Sequence, residues 1–321
     1  MSGHLLEVKG LKKYFRVGRN QWLHAVDDVS FYVDEGRTFG LVGESGCGKT
    51  TVGRTIIRLY EADAGQVLFE GVDVHKLKGK EYKQFTRKIQ MIFQDPYASL
   101  DPRKTVGAIV GEGLKIHKLC RTRQEYTERV YELLETVGLS REHASRFPHE
   151  FSGGQRQRVG IARALAVNPK FVICDEAISA LDVSIQAQII NLLIELQEKF
   201  GLTYLFIAHD LNVVRHICDD TAVMYLGQLV EMAATGELFN NPMHPYTVGL
   251  LAAAPEPDPD YEKSRPHMLM SGEVPSPINP PPGCRFVSRC PYAMPKCAEK
   301  TPKLTDIGNK HYVACFKAQE G

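Results

Sequence analysis

The sequence predicts an α/β protein built on a largely parallel sheet. Short apolar stretches of buried-strand type alternate with helix-like segments over residues 5–254. One of them, residues 38–42, runs into a glycine-rich turn that opens a helix. Two others, 171–174 and 204–208, flank a helical segment, 186–200, with a full apolar face.

In chain order, residues 5–8 and 25–33 read as strands, and 38–42 is an apolar strand feeding the turn and a helix over 50–59. Residues 91–93 end another short strand. Residues 125–137 place Val130, Leu133, Leu134 and Val137 at helical spacing, with Gly138 as the stop. A further helix continues over 156–166. The strand 171–174 follows, then the helix 186–200, which Gly201 ends, then the strand 204–208. Residues 222–225 and 228–231 form a hairpin turned at Leu226-Gly227.

The 321 residues set a prior of about two domains. Composition is ordinary for a globular chain, with 43% hydrophobic and 24% charged residues. A net charge of +1 excludes a globally basic nucleic-acid binder and a polybasic membrane-surface protein. Apolar runs such as 248–254, broken by Gly249, fall far short of the ~20 residues that span a bilayer. Met1-Ser2-Gly3-His4 carries no apolar signal region, so a soluble cytoplasmic chain is expected, reaching a membrane only through partners. Three regions separate: a domain over 1–254, a proline-rich connector over 255–283 with nine of the 18 prolines, and a tail over 284–321. Cys47, Cys120, Cys174 and Cys218 read as small buried hydrophobes. Cys284, Cys290, Cys297 and Cys315 cluster in the tail, which in a reducing cytosol points to metal.

The chemistry begins at Gly43-Glu44-Ser45-Gly46-Cys47-Gly48-Lys49-Thr50, which fits G-x-x-x-x-G-K-[ST] at every fixed position. Glycines let successive backbone N–H groups converge on phosphate oxygens, and the helix start adds a favourable dipole end. Lys49 supplies a point charge to β/γ-phosphates and Thr50 a hydroxyl for Mg²⁺. On this motif alone the nucleotide is ATP or GTP. Phe171-Val172-Ile173-Cys174-Asp175-Glu176 is an apolar strand ending in two acids. Asp175 stands where a carboxylate holds Mg²⁺, and Glu176 where one polarises an attacking water.

Phe151-Ser152-Gly153-Gly154-Gln155, with Gln155 20 residues before Asp175, resembles the signature of ABC-type ATPases. Other motifs fall in that family's order. Gln94 after Ile92-Phe93 resembles the Q-loop, Ser179-Ala180-Leu181-Asp182 the D-loop, and His209 in Phe206-Ile207-Ala208-His209-Asp210 the switch histidine. The resemblance implies an ABC-type ATPase core: a parallel sheet with helices, plus antiparallel β and helical subdomains, the helical one over about residues 95–165. It also implies that two cassettes pack head to tail around ATP. Gly43, Ser45, Gly46, Cys47, Gly48, Lys49, Thr50, Thr51, Gln94, Asp175, Glu176 and His209 would then serve this chain's ATP. Thr50, Gln94 and Asp175 would hold Mg²⁺, with Lys49, Glu176 and His209 catalytic. Tyr14, or Phe15 beside it, would stack on adenine, while Ser152, Gly154 and Gln155 would serve the partner's ATP. One departure is visible: Ala177 stands where the family usually has proline. With every acid, lysine and signature position retained, a hydrolytically competent site is expected, with a small effect on loop rigidity.

Asp95-Pro96-Tyr97-Ala98-Ser99-Leu100-Asp101-Pro102, Asp182-Val183-Ser184-Ile185-Gln186-Ala187-Gln188 and Asn241-Pro242-Met243-His244-Pro245-Tyr246-Thr247 resemble the oligopeptide/dipeptide branch of ABC importers, and most of all its F-type ATP-binding subunits. That branch also serves nickel, murein peptide and some sugars. The resemblance implies a second, distinct ATP-binding subunit, two membrane permeases and an extracytoplasmic substrate-binding protein as partners. It implies a peripheral position on the cytoplasmic face of the membrane and no nucleic acid. A soluble ABC ATPase acting on DNA or ribosomes is disfavoured, since the chain holds one cassette and no sustained heptads between Gly48 and Ser152. Glu176 and His209 disfavour a non-hydrolysing regulator.

The tail cysteines follow C-x5-C-x6-C-x17-C. Four thiolates suit tetrahedral Zn²⁺ or an iron–sulfur cluster, and no C-x2-C pair favours a zinc ribbon. Members of the resembled branch carry such a tail around a [4Fe–4S] cluster, which makes Cys284, Cys290, Cys297 and Cys315 its expected ligands. Arg285, Arg289 and Lys296 nearby would either offset cluster charge or be solvated.

Overall fold

The computed structural model describes residues 3–253 and 272–320. The proline-rich connector expected over 255–283 lies outside the described residues up to 271. In chain order the elements begin with β1 (Leu6–Gly18), β2 (Gln21–Val33), β3 (Thr38–Val42), α1 (Lys49–Ile56), β4 (Ala64–Phe69) and β5 (Val72–Asp73). Then come α2 (Gly79–Lys88), β6 (Ile89–Ile92), α3 (Val106–Val110), α4 (Glu112–Ile116), α5 (Arg123–Thr136), α6 (Gly153–Leu165), β7 (Phe171–Asp175), α7 (Val183–Phe200) and β8 (Thr203–Ala208). The last are α8 (Leu211–Ile217), β9 (Asp220–Tyr225), β10 (Gln228–Ala234), α9 (Thr235–Asn240), α10 (Pro245–Ala252), α11 (Pro295–Glu299), β11 (Thr305–Asp306), β12 (Tyr312–Val313) and α12 (Phe316–Glu320). The chain divides into two compact units, one of residues 1–33, 38–75 and 208–321, the other of 34–37 and 76–207.

The first unit holds an antiparallel sheet of order β2-β1-β4-β5. Its long β1–β2 pair extends well beyond the strands expected at 5–8 and 25–33. Val29, Phe31 and Val33 alternate inward with outward residues, and bulges between Val8 and Tyr14 bend the ladder. The unit's second set of strands runs β11-β12-β10-β9-β3. Here β3, buried at all five positions, lies parallel to β9. The expected hairpin is present, with β9 and β10 antiparallel about Leu226-Gly227, both at positive φ (42° and 86°). That pair of left-handed residues suits a two-residue turn, whose twist matches the strands it joins.

The tail completes this unit. Strand β12 pairs with β10 and β11 pairs with β12, a feature two-residue strands give no sequence signal for. Phe286 and Val313 are 1% and 0% exposed, so the tail contributes to the common core. Beside them Glu231 on β10 is fully buried and accepts hydrogen bonds from the Met243 and His244 N–H groups at 2.7 and 2.9 Å. His311 Nε2 of the tail stands 2.7 Å from the same carboxylate.

The second unit carries the parallel order β6-β7-β8. Helix α7 covers Ile189, Ile190, Leu192, Leu193 and Leu196 and ends at Gly201, which takes the left-handed conformation (φ 63°). The Tyr204 hydroxyl of β8 donates to the Leu193 carbonyl at 2.9 Å, fixing helix to strand. Thr122 caps α5 by accepting from the Glu125 N–H, and Val130, Leu133 and Leu134 are its buried face, as the spacing predicts. Of the four scattered cysteines, Cys47, Cys174 and Cys218 are buried. Cys120 departs from the expectation: it sits partly exposed in the turn between α4 and α5.

Replacing Glu231 by Ala should destabilise the fold by about 3 kcal/mol, because the buried His244 N–H, the part-buried Met243 N–H and His311 lose their acceptor together. Ala at Glu61, whose side chain is 70% exposed, should stay within about 0.5 kcal/mol. Denaturant titration of both variants reads the difference.

Candidate functional site

In the first unit, β3 ends at Val42 and the chain turns through Gly43, Gly46 and Gly48, at φ 149°, 79° and 110°. The middle glycine is open, but the outer two are also close approaches. A Cβ at Gly43 would meet the Met224 carbonyl oxygen at 2.1 Å, and one at Gly48 the Ala25 carbonyl oxygen at 2.0 Å. Only glycine fits either place. The Gly227 N–H bonds the Cys47 carbonyl at 2.9 Å, tying the β9–β10 turn to the loop. Lys49 opens α1 and is 3% exposed; its Nζ donates to the carbonyls of Gly43 (2.7 Å) and Glu44 (3.0 Å), so the ammonium lies inside the curve of its own loop. Thr50 and Thr51 follow in the first turn of α1, partly exposed. Cys47 is buried, and burial pushes its thiol up, so it packs rather than reacts. His209 is exposed at the end of β8, where Asp210 caps α8 by accepting from the Asn212 N–H.

Tyr14 stacks on His24 at 4.1 Å between ring centroids, and its hydroxyl donates to Asp27 Oδ1 at 2.5 Å. Burial pushes the Tyr14 phenol up and Asp27 pushes it further. Burial acts to raise Asp27 as well, yet the Tyr14 hydroxyl, Arg285, Lys12 and His24 outweigh it and hold the carboxyl below its ordinary value. Phe15, the alternative stacking residue, packs edge-on against Tyr60 at 5.2 Å.

In the second unit, β7 delivers Asp175 fully buried at its end. Glu176 follows at φ 46°, a left-handed position. Its N–H bonds the Ile207 carbonyl at 2.9 Å, and its own carbonyl accepts from Ser179 N–H and Oγ at 3.1 and 3.0 Å. Hydrogen bonds thus hold the turn in which Ala177 replaces the expected proline. Gln94 Nε2 donates to Glu176 Oε2 at 2.6 Å, bringing two of the expected site residues together. Ser152 and Gln155 form a reciprocal capping box at the start of α6: the Gln155 N–H donates to Ser152 Oγ at 3.3 Å, and the Ser152 N–H to Gln155 Oε1 at 3.0 Å. A Cβ at Gly154 would meet Ile185 Cγ2 at 2.6 Å. Arg163 of α6 donates to the Ser99 carbonyl at 2.5 Å and lies over the Phe93 ring, anchoring the segment around Gln94, an interaction no motif signalled.

In the tail, Cys284, Cys290, Cys297 and Cys315 line one enclosed cavity of about 20 Å³, walled also by Phe286, Tyr292, Met294 and Phe316. All four are free thiols. Burial, with the three other cysteines adding to it, pushes Cys284 up to about 11, and burial raises Cys290. Among the described residues, no three His, Cys, Asp or Glu side chains form a group that could hold a metal ion, so the expected metal-ligated module is not seen as such. The tail arginines are not solvated. Arg285 and Arg289 are each 8% exposed at the side chain and pair with Asp27 (2.6 Å) and Glu44 (3.2 Å). Lys296 pairs with Glu320. Sequence reasoning had no signal for these pairs, whose members lie 258 and 245 residues apart.

The ABC transporter family model matches residues 26–179, and the model for the C-terminal region of oligopeptide/dipeptide transporters matches 230–297. The chain is 61% identical to the oligopeptide transport ATP-binding protein OppF of Bacillus subtilis over 283 residues, covering 85% of this chain and 92% of that one. It is 52% identical to the oligopeptide transport ATP-binding protein AppF of the same organism, covering 97% and 96%. Among solved structures it is similar to the ATP-binding cassette MJ0796, a dimer in a post-hydrolysis state bound to ADP and Pi, with TM-score 0.66, 29% identity, and 72% and 98% of the two chains covered.

The Asp27 network has a sign that a melt can read. Its folded carboxyl titrates below the unfolded one, so its stabilisation is present above about pH 4 and is lost as pH falls through the folded value. Thermal melts of wild type and Asp27→Asn should therefore converge below pH 4. Parallel curves down to acid pH would contradict the assignment.

Proposed function

The chain belongs to the ABC transporter family, in its oligopeptide-transport branch, and from that membership we propose how its residues divide the work. It is an ATP-hydrolysing subunit that energises peptide import. The observation that carries this is the intact phosphate loop, with its left-handed glycines and inward Lys49, in a chain related over almost its whole length to oligopeptide transport ATP-binding proteins.

ATP would be cradled by the N–H groups of Gly43 to Gly48, with Lys49 facing the β/γ-phosphates and Thr50 and Thr51 closing the loop. Oxygen donors suit Mg²⁺, and Thr50, Gln94 and the buried Asp175 would hold it; when bound it neutralises phosphate charge. Glu176 would accept a proton from water as its oxygen bonds the γ-phosphorus and the β–γ bridge breaks. Gln94, already bonded to Glu176, would set its orientation, and His209 would sense the γ-phosphate. Tyr14 would lie beside adenine, its ring orientation fixed by His24 and Asp27. Ser152, Gly154 and Gln155, at a capped helix start, would meet ATP held by another cassette. We take that cassette to be a second, distinct subunit, and the pair to sit on two permeases at the cytoplasmic membrane face, fed by an extracytoplasmic binding protein. No helix among the described residues is long and apolar enough to cross a membrane.

For the tail we propose a [4Fe–4S] cluster held by Cys284, Cys290, Cys297 and Cys315. The support is their convergence on one enclosed, largely apolar cavity. When bound, such a centre cross-links three stretches of a short segment.

Lys49→Ala should weaken Mg-ATP binding by at least about tenfold, whereas Glu176→Gln should keep binding and lose about 10²-fold or more in turnover. Equilibrium binding and phosphate release separate the two; unchanged turnover in Glu176→Gln would remove its assigned role. Anaerobically purified protein should contain iron and acid-labile sulfide. Stoichiometric zinc in a colourless protein would reject the cluster.

A further inference from the structure

The seven residues Cys284-Arg285-Phe286-Val287-Ser288-Arg289-Cys290 stand out because Phe286 and Arg289 reach back to the surroundings of the phosphate loop and Arg285 to Asp27 on β2. Phe286, 1% exposed, packs edge-on to Tyr225 at 5.3 Å and against Tyr246 at 5.5 Å. The Tyr246 hydroxyl accepts the backbone N–H of Glu44 at 3.0 Å. Arg289 Nη1 donates to both carboxylate oxygens of Glu44, at 3.3 and 3.2 Å, and to the Tyr225 hydroxyl at 3.4 Å. Arg285 donates to Asp27, the acid that holds the Tyr14 hydroxyl. The two arginines sit immediately inside the two cysteines that bound the segment, and a 3₁₀ turn over Val287–Arg289 sets their spacing.

Glu44 is the first variable residue of the phosphate loop. It lies between Gly43 and a stretch containing Gly46 and Gly48, all with the conformational freedom of positive-φ glycine. A loop so free needs external fixing if its N–H groups are to point one way. The structure supplies it from the far end of the chain: Glu44 is gripped at its side chain by Arg289 and at its N–H by Tyr246. The Arg289 side chain is 8% exposed and that of Glu44 27%, so the pair is partly shielded from water, and a charge-assisted contact of this kind is stronger than one between two fully exposed groups.

We propose that Arg289, carried by the cysteine-bounded segment of the tail, is a positioning residue for the phosphate loop: through Glu44 it holds the loop in the shape that receives nucleotide phosphates. The proposal rests on the reading of this loop as the ATP site. It makes the tail part of the nucleotide site, and it predicts that whatever fixes Cys290 also fixes the residue next to it.

The test measures Mg-ATP binding and steady-state hydrolysis in the full chain, assembled with its transport partners for turnover. Arg289→Gln should raise the Mg-ATP dissociation constant and KM about tenfold, with kcat within about twofold. Arg289→Lys, which keeps the charge, should recover most of that loss. Glu44→Gln should match Arg289→Gln, and the double variant should be no worse than either single one, since both remove the same contact. Lys296→Gln, at a tail cation that pairs with Glu320 and lies over Phe316, should leave binding unchanged. If Arg289→Gln does not fold, Arg289→Lys and Glu44→Gln still decide: Glu44→Gln with wild-type affinity overturns the proposal. So does an additive double variant, or a loss confined to kcat. A wild-type chain that binds no Mg-ATP overturns the ATP-site reading itself; wild-type binding with Arg289→Gln unaltered overturns only the positioning role.

Discussion

The structure depends on one steric constraint: two backbone carbonyls press against the phosphate loop at points where no side chain can begin. Ala25 O stands 2.0 Å from the Cβ that Gly48 lacks, and Met224 O stands 2.1 Å from the one Gly43 lacks. The loop is thereby seated against β2 on one side and β9 on the other, and the Gly227 N–H locks it to the β9–β10 turn. Lys49 can then be buried at little cost, because loop carbonyls receive its ammonium. Loosen the seat and the first turn of α1 would no longer present its N–H groups in a fixed direction.

Much of this was legible because local chemistry writes itself into local spacing. The loop, the strand ending in Asp175 and Glu176, the helix closed by Gly201 and the hairpin at Leu226-Gly227 each follow from a few adjacent residues. Boundaries drifted where tertiary pairing extends a strand: β1 runs to Gly18 because β2 lies beside it, although Lys12 and Lys13 carry no strand signal of their own. Short α3 and α4, β5, β11 and β12 were unreadable, being too brief for any period to register. Arg285 and Arg289 were misjudged for a related reason. Beside four cysteines they looked like counter-charges or surface groups, and only the fold brings Asp27 and Glu44 to them.

The tail is held by charge as much as by apolar packing. Three ionisable pairs join it to the rest of its unit: Arg285 with Asp27, Arg289 with Glu44 and His311 with Glu231. All three are poorly exposed, and such pairs are costly to break by halves. They give the tail one seating rather than many, which hydrophobic contact through Phe286 and Val313 alone would not specify. The cavity lined by the four cysteines belongs to the same tail, bounded by Phe286 of the buried core.

The edge strand β12 has a consequence for biosynthesis. The phosphate loop itself leaves the ribosome well before the arginine gripping Glu44 and the strand that covers the edge of β10. At about 5–20 residues per second, the 245 positions separating Glu44 from Arg289 amount to a delay of about 12–50 s. During that interval the nascent cassette has an open sheet margin and a Glu44 side chain with no arginine to grip it. Synthesis of Arg289 and β12, rather than nucleotide supply, then becomes the event that completes this unit.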